Sequence, residues 1–302
     1  MNILSVLQFT KEHVLHYIHK ASQIKNCGVY RLLDKTIITL FYEPSTRTSC
    51  SFQSAAIKLG CNVINITDKF SSVEKGESLE DTIKTINYYG DVIVLRHPEK
   101  GACNRAANVS KVPVINAGDG NGEHPTQALL DIFTIYEELS SKRIDLDSET
   151  RDPITVTFLG DLKNSRTIHS LVHLLILFPR IKFIFINPPS LDMPQEITDK
   201  LKGMNIEHVT LSLEDAIYIT DIMYVTRIQK ERFEREQDYL SVKHSCINKD
   251  MMSKAKESMI LMHPLPRLTE ISVEVDSDPR AVYFKQVENG IYIRMAILDT
   301  IL

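Results

Sequence analysis

The sequence predicts an α/β protein of two similar domains, each a parallel sheet flanked by helices. The prediction rests on short β-branched apolar runs alternating with helix-period segments, and on a repeat of that alternation in the second half of the 302-residue chain. It rests equally on polar clusters that follow the apolar runs. Parallel strands buried on both faces read as continuous apolar runs, and the segments between them have room for crossover helices.

Thr10 can cap a helix over residues 11–25, with Val14, Leu15, Ile18 and Ala21 or Ser22 on one face. Strands are predicted at 37–41, 63–66, 92–96 and 112–115, with helix-like segments between them, one at 51–59. A helix over 125–139 follows, and polar residues 140–153 read as a surface connection between the halves. The second half offers strands at 154–159, 182–186, 206–209, 222–225 and 259–262. The apolar run 168–178 carries His169 and His173 and is too short to span a bilayer, so it reads as a core helix. Residues 233–248 are charged without a period and read as a mobile loop. The segment 288–302 has helical apolar spacing (Ile291, Ile293, Met295, Ile297, Leu298, Ile301) and must dock; the first domain is the expected surface.

The totals exclude several functions. With 39 acidic against 35 basic side chains, the chain is not built to coat nucleic acid or an anionic membrane. Its five cysteines (Cys27, Cys50, Cys61, Cys103, Cys246) are scattered and odd in number, so neither a disulfide framework nor a zinc site is indicated. A reducing, cytoplasmic setting fits. No basic-then-apolar leader opens the sequence.

The most informative stretch is Phe41-Tyr-Glu-Pro-Ser-Thr-Arg-Thr-Ser49. Pro44 breaks the preceding strand, and Ser45, Thr46, Arg47 and Thr48 gather hydroxyls, a guanidinium and backbone N–H groups at a helix start. That is an oxyanion site. It has neither the glycines nor the lysine of a nucleotide loop, so a small phosphate suits it better. Alone, Ser-Thr-Arg-Thr is also an ordinary helix cap. The other polar clusters shift the balance, each an ordinary polar loop if taken alone: Arg96-His97-Pro98, 116–127 with His124 and Gln127, Gly160 to Arg166, Thr226 to Arg232, and His263 to Arg267 each follow a predicted strand. Open α/β sheets bind ligands there. Arginine in place of lysine implies planar, bidentate recognition of phosphate and carboxylate, and nothing in the inventory resembles a catalytic triad or a metal cluster.

Tyr42-Glu-Pro-Ser-Thr-Arg-Thr-Ser49, Leu95-Arg-His-Pro98, Gly122-Glu-His-Pro-Thr-Gln127, Gly160-Asp-Leu-Lys163 with Arg166-Thr167, Thr226-Arg-Ile-Gln229 and His263-Pro-Leu-Pro-Arg267 together resemble the aspartate carbamoyltransferase family, in family order over nearly the whole chain. The sections 71–77 and 271–280 resemble especially the transcarbamoylase domain of the animal multifunctional pyrimidine-synthesis protein. The resemblance implies the aspartate/ornithine carbamoyltransferase fold, with residues 1–126 plus 286–302 binding carbamoyl phosphate and 127–285 binding L-aspartate. The implied reaction gives N-carbamoyl-L-aspartate and phosphate, the committed early step of de novo pyrimidine synthesis, without a metal or cofactor.

By the same resemblance Ser45, Thr46, Arg47, Thr48 and Arg96 hold the phosphate, while Thr48, Arg96 and His124 polarise the carbonyl and Gln127 orients the carbamoyl NH₂. Arg166 takes the α-carboxylate of aspartate and Arg227 the β-carboxylate, assisted by Gln229; the backbone at Leu265 and Pro266 completes the site. Ser71 and Lys75 reach a neighbouring subunit's site, which implies a homotrimer, and Glu43, Arg166 and Arg232 latch the domains over substrate. Regulatory subunits or fused pyrimidine-pathway domains are further partners the resemblance allows. Asn164 and Ser165 depart from the family's aromatic-glycine pair, and a turn requiring positive φ would strain Ser165. An ornithine-type enzyme is disfavoured by Arg227 and by His263-Pro264, where His-Cys is expected. A nicotinamide enzyme lacks its Gly-x-Gly-x-x-Gly, and an inactive scaffold would have lost anion ligands that are all present.

Overall fold

A computed structural model of the protein describes residues 1–28, 30–67, 76–233, 235, 237, 239 and 245–302. The chain divides into one unit of Met1–Phe133 with Val287–Leu302 and a second of Thr134–Gln286.

The first unit opens with α1 (Lys11–Cys27), whose start is a capping box: Thr10 Oγ1 accepts the His13 N–H, and the His13 ring accepts the Thr10 N–H, both at 3.3 Å. There follow β1 (Thr36–Phe41), α2 (Thr46–Lys58), β2 (Asn62–Thr67), α3 (Leu79–Ile86), β3 (Val92–His97), α4 (Ala102–Val109), β4 (Val114–Asp119) and α5 (Pro125–Ser141). The strands form a parallel sheet in the order β2-β1-β3-β4. Ile38, Leu40, Ile83, Ile93, Leu95 and Val114 form its core, each buried side chain contributing about 1.5–3 kcal/mol. β4 starts two residues later than the sequence suggested and absorbs Asn116 and Asp119. Both polar groups are satisfied in place: Asn116 Oδ1 accepts Gly118 N–H at 2.7 Å, and Nδ2 donates to Leu4 C=O at 2.9 Å.

The second unit contains β5 (Ile154–Leu159), α6 (Arg166–Leu175), β6 (Ile181–Ile186), α7 (Gln195–Gly203), β7 (His208–Thr210), α8 (Leu213–Ala216), β8 (Ile222–Val225), α9 (Lys249–Lys254) and β9 (Ile260–Met262), and α10 (Tyr283–Ile301) ends the chain. Its sheet is parallel in the order β7-β6-β5-β8-β9, around a core that includes Leu159, Ile184, Ile186, Met223, Val225 and Leu261. β7 begins at His208, later than residue 206, because the Ile206 N–H bonds back to Leu201 C=O at 2.9 Å and closes α7. The polar connection is ordered by one side chain: Arg151 donates to the carbonyls of Leu146 (3.0 Å), Pro179 (2.6 Å) and Arg180 (2.9 Å). Of the expected mobile loop 233–248, residues 234, 236, 238 and 240–244 lie outside the described residues.

The expected terminal helix is α10, starting at Tyr283 and docking on α1 in the first unit. Asp299 accepts from Lys20 Nζ (2.9 Å) and Arg31 Nε (2.5 Å), and Ile293, Ala296, Ile297 and Leu298 are fully buried. Among the described residues, no helix is long and apolar enough to cross a membrane.

Candidate active site

In the first unit strand order reverses between β1 and β3, the point where such sheets bind ligands beyond their carboxyl ends. Ser45 is the N-cap residue of α2 and makes no side-chain cap bond; the first intrahelical bond runs from Ser49 N–H to Ser45 C=O at 3.0 Å. The amides of Thr46, Arg47 and Thr48 therefore precede the helical ladder, at the dipole's positive end. Thr46 and Arg47 are exposed, and Thr48 is buried with its Oγ1 3.5 Å from His124 Nε2. Arg96 stands beside Phe41 in the register of β3 on β1, so the end of β3 joins the same edge. Its Nη1 donates to Ala117 C=O at 3.3 Å, and Glu43 Oε2 lies 3.4 Å from its Nε. Glu43 thus meets Arg96 inside its own unit.

His124 is positioned by the loop that follows β4. Asp119 accepts N–H groups from Gly101 (2.9 Å) and Glu123 (2.8 Å), and a Cβ at Gly120 would lie 2.3 Å from Pro98 C=O. Glycine at 120 is therefore a packing requirement. Glu123 accepts from Ser5 Oγ and Val6 N–H, both at 2.6 Å, which ties the amino-terminal segment to the residue preceding His124. Burial pushes the Glu123 carboxyl above its ordinary value. Gln127, on the first turn of α5, donates Nε2–H to Asp131 Oδ1 at 2.8 Å.

In the second unit the order reverses between β5 and β8. A Cβ at Gly160 (φ 122) would lie 2.1 Å from Thr226 C=O, so glycine lets the two strand ends converge. Asp161 is fully buried and accepts from Asn164 N–H (2.9 Å), from Asn164 Nδ2 (3.0 and 3.1 Å) and from Gln229 N–H (3.3 Å). One carboxylate thus ties the loop before Arg166 to the loop carrying Arg227 and Gln229. Ser165 has φ −81, and neither it nor Asn164 has positive φ, so the conditional strain at Ser165 does not arise. Asn164 instead supplies ligands to Asp161. Arg227 forms a two-pronged ion pair with Glu231, Nη1 to Oε2 at 2.9 Å and Nη2 to Oε1, and this pairing holds the guanidinium above its ordinary pKa. Arg232 is exposed at the end of the following turn.

Leu265 and Pro266 sit beyond β9. Leu265 N–H donates to His263 Nδ1 at 2.7 Å, so the ring proton is on Nε2, which donates to Glu270 Oε1 at 2.7 Å. Glu270 Oε2 accepts the Leu268 and Thr269 N–H groups, both at 3.1 Å. Burial raises the Glu270 carboxyl, but the bonds from His263 and the backbone outweigh it and leave the pKa below the ordinary value. A depressed value means stability that is present at neutral pH and lost as pH falls through the acid range below the ordinary carboxylate pKa. Glu270→Gln is expected to cost about 1.5–3 kcal/mol at pH 7 and to flatten that acid-side loss, measured by urea unfolding at neutral and acid pH. Equal acid sensitivity in variant and parent would remove Glu270 from this role.

Arg267, counted among the candidate cations, is engaged elsewhere: it pairs with Asp276 through both Nη atoms and donates to Tyr283 Oη at 2.8 Å. Ser71 and Lys75 lie outside the described residues. The supporting carboxylates Asp161, Asp131, Glu123 and Glu270 were not singled out from sequence. One signal existed for Asp131, a charge inside the apolar run Leu129-Leu-Asp-Ile-Phe133.

Comparisons with known proteins converge on one family. The family description "Aspartate/ornithine carbamoyltransferase, carbamoyl-P binding domain" matches residues 1–137, and "Aspartate/ornithine carbamoyltransferase, Asp/Orn binding domain" matches residues 152–301. The chain is 49% identical over 312 residues to the multifunctional protein CAD of Squalus acanthias, covering all of this chain and 13% of that one. It is 46% identical to the aspartate carbamoyltransferase catalytic subunit of Methanocaldococcus jannaschii, covering 100% of this chain and 97% of the relative. A crystal structure of aspartate transcarbamoylase from Trypanosoma cruzi, in complex with carbamoyl aspartate and phosphate, superposes with a TM-score of 0.90 at 41% identity, covering 100% of this chain and 96% of that one.

Proposed function

The chain belongs to the aspartate/ornithine carbamoyltransferase family, and we propose on that footing that it transfers the carbamoyl group of carbamoyl phosphate to the amino group of L-aspartate. The observation that carries the choice of aspartate is the 46% identity, over the whole of this chain and 97% of the relative, to an aspartate carbamoyltransferase catalytic subunit. Arg227 agrees with it, because a planar guanidinium suits recognition of a carboxylate. The test is formation of N-carbamoyl-L-aspartate by the purified protein.

In this reading carbamoyl phosphate belongs to the unit with the α2 amino terminus. Ser45, Thr46, Arg47 and Thr48 bind its phosphate together with Arg96. Thr48, Arg96 and His124 donate to the carbonyl oxygen as it gains negative charge, each such donor being worth about 2.7–4 kcal/mol in known oxyanion holes. Aspartate belongs to the second unit, its α-carboxylate on Arg166 and its β-carboxylate on Arg227 and Gln229, with the backbone at Leu265 and Pro266 beside both substrates. The amine attacks the carbonyl carbon, the bond to the bridging oxygen breaks, and the departing phosphate takes the proton. Orientation of two anions and stabilisation of the oxyanion are what the reaction asks of the protein, so no covalent intermediate is required.

The reading extends to a cytoplasmic role in pyrimidine synthesis and to a homotrimer in which Ser71 and Lys75 complete a neighbour's site. The multifunctional relative, of which this chain spans 13%, supports fused pathway domains as partners, with regulatory subunits as the other option. Chains carrying Arg47→Ala mixed with chains carrying Lys75→Ala are expected to regain activity, because some sites in each hybrid then hold both wild-type residues. Hybrids as inactive as either parent would reject shared sites.

A further inference from the structure

Asp131 lies one turn after Gln127 on α5, fully buried between core residues Leu130 and Ile132. A carboxylate in such a place costs several kcal/mol unless hydrogen bonds and an opposite charge offset it. Gln127 Nε2–H supplies a hydrogen bond at 2.8 Å. On α10, Arg294 is 3% exposed, its guanidinium 4.9 Å over the Phe52 ring, with Nη1 donating to Gly290 C=O at 3.2 Å and Nη2 to Thr126 Oγ1 on the first turn of α5 at 3.4 Å. Burial pushes Arg294 down to about 9, and the Asp131 carboxyl acts in the opposite direction.

The Gln127 Nε2–H donates to Asp131 Oδ1 at 2.8 Å, so the NH₂ end of the amide faces Asp131 and the carboxyl oxygen is its acceptor. The amide oxygen is then turned away from Asp131 as an acceptor. A carbamoyl NH₂ offers two donors and needs acceptors. We infer that Asp131 is a positioning residue that fixes the polarity of the Gln127 amide, so that the site selects a substrate N–H over a methyl group of the same shape. The inference rests on the reading that Gln127 holds the carbamoyl NH₂.

The readout is discrimination between carbamoyl phosphate and acetyl phosphate, which puts CH₃ in place of NH₂. A purely structural defect weakens both; a lost acceptor weakens the first alone. In Asp131→Asn, carbamoyl phosphate is expected to bind about tenfold more weakly, the size of one lost hydrogen bond, while acetyl phosphate inhibits within about twofold of the parent. The double variant Gln127→Glu with Asp131→Asn, in which a carboxylate accepts from the new amide and keeps an oxygen for the substrate, is expected to restore part of the discrimination. Gln127→Ala separates the two claims. If it leaves discrimination unchanged, the role of Gln127 itself fails; if it abolishes discrimination while Asp131→Asn keeps the parent value, the positioning by Asp131 alone fails. Should Asp131→Asn not fold, neutron diffraction on the wild-type protein reads the amide directly. Deuterons on the Gln127 atom facing Asp131 are expected, and an oxygen there overturns the inference.

Discussion

Asp161→Ala is expected to lower kcat/KM for aspartate by about 10²-fold or more while carbamoyl phosphate affinity stays within about twofold of the parent. The Asp161 carboxylate is fully buried and satisfies Asn164 N–H and Nδ2 and the Gln229 N–H. Deleting it orphans those donors at about 1–3 kcal/mol each and unties the loop before Arg166 from the loop carrying Arg227 and Gln229. The expected loss comes from misplacing two cations at once, and an error of about 1 Å in a reacting group is enough to produce it. Steady-state kinetics with each substrate varied in turn checks this. A variant equally impaired in both substrates would show general collapse of the protein and not loss of the tie.

Arg227→Ala is expected to raise KM for aspartate by about 10²-fold or more, equivalent to about 2.7 kcal/mol. Lysine at the same position should restore little, because a point charge cannot reproduce the planar fork of N–H donors that a guanidinium offers a carboxylate. The discriminating outcome is Arg227→Lys: near-parental KM would mean that charge alone, and not fork geometry, holds the second substrate.

The sheets were legible in the sequence because parallel strands are buried on both faces. Ile154–Leu159 and Ile222–Val225 have the bounds read from their apolar runs. Strands were misplaced where a neighbouring element claimed the residue, as when Ile206 N–H closes α7, or where buried polar side chains extend a strand, as with Asn116 and Asp119 in β4. α2 begins at Thr46, a turn before the apolar spacing at 51–59 becomes visible, since Thr46, Thr48 and Ser49 carry no helical pattern.

The placement of the candidate residues was legible where a polar cluster follows a strand, because a parallel sheet carries such residues to its carboxyl edge. Thr48 and His124 are 76 positions apart in sequence, and each could be singled out within its own motif. What sequence withheld is the layer behind. Asp161 reaches Gln229 across 68 positions, and Arg294 reaches Thr126 across 168; neither contact has a local pattern. The doubt over Ser165 arose from comparing residue types at a turn. The backbone there has φ −81, which any residue accepts.

The most direct measurement of the central claim is the product formed from labelled carbamoyl phosphate when the purified protein is offered aspartate or ornithine, with Arg47→Ala as the control. The account predicts N-carbamoyl-L-aspartate from aspartate, no product from ornithine, and loss of turnover in the control. Carbamoylation of ornithine, or an Arg47→Ala variant as active as the parent, would contradict it.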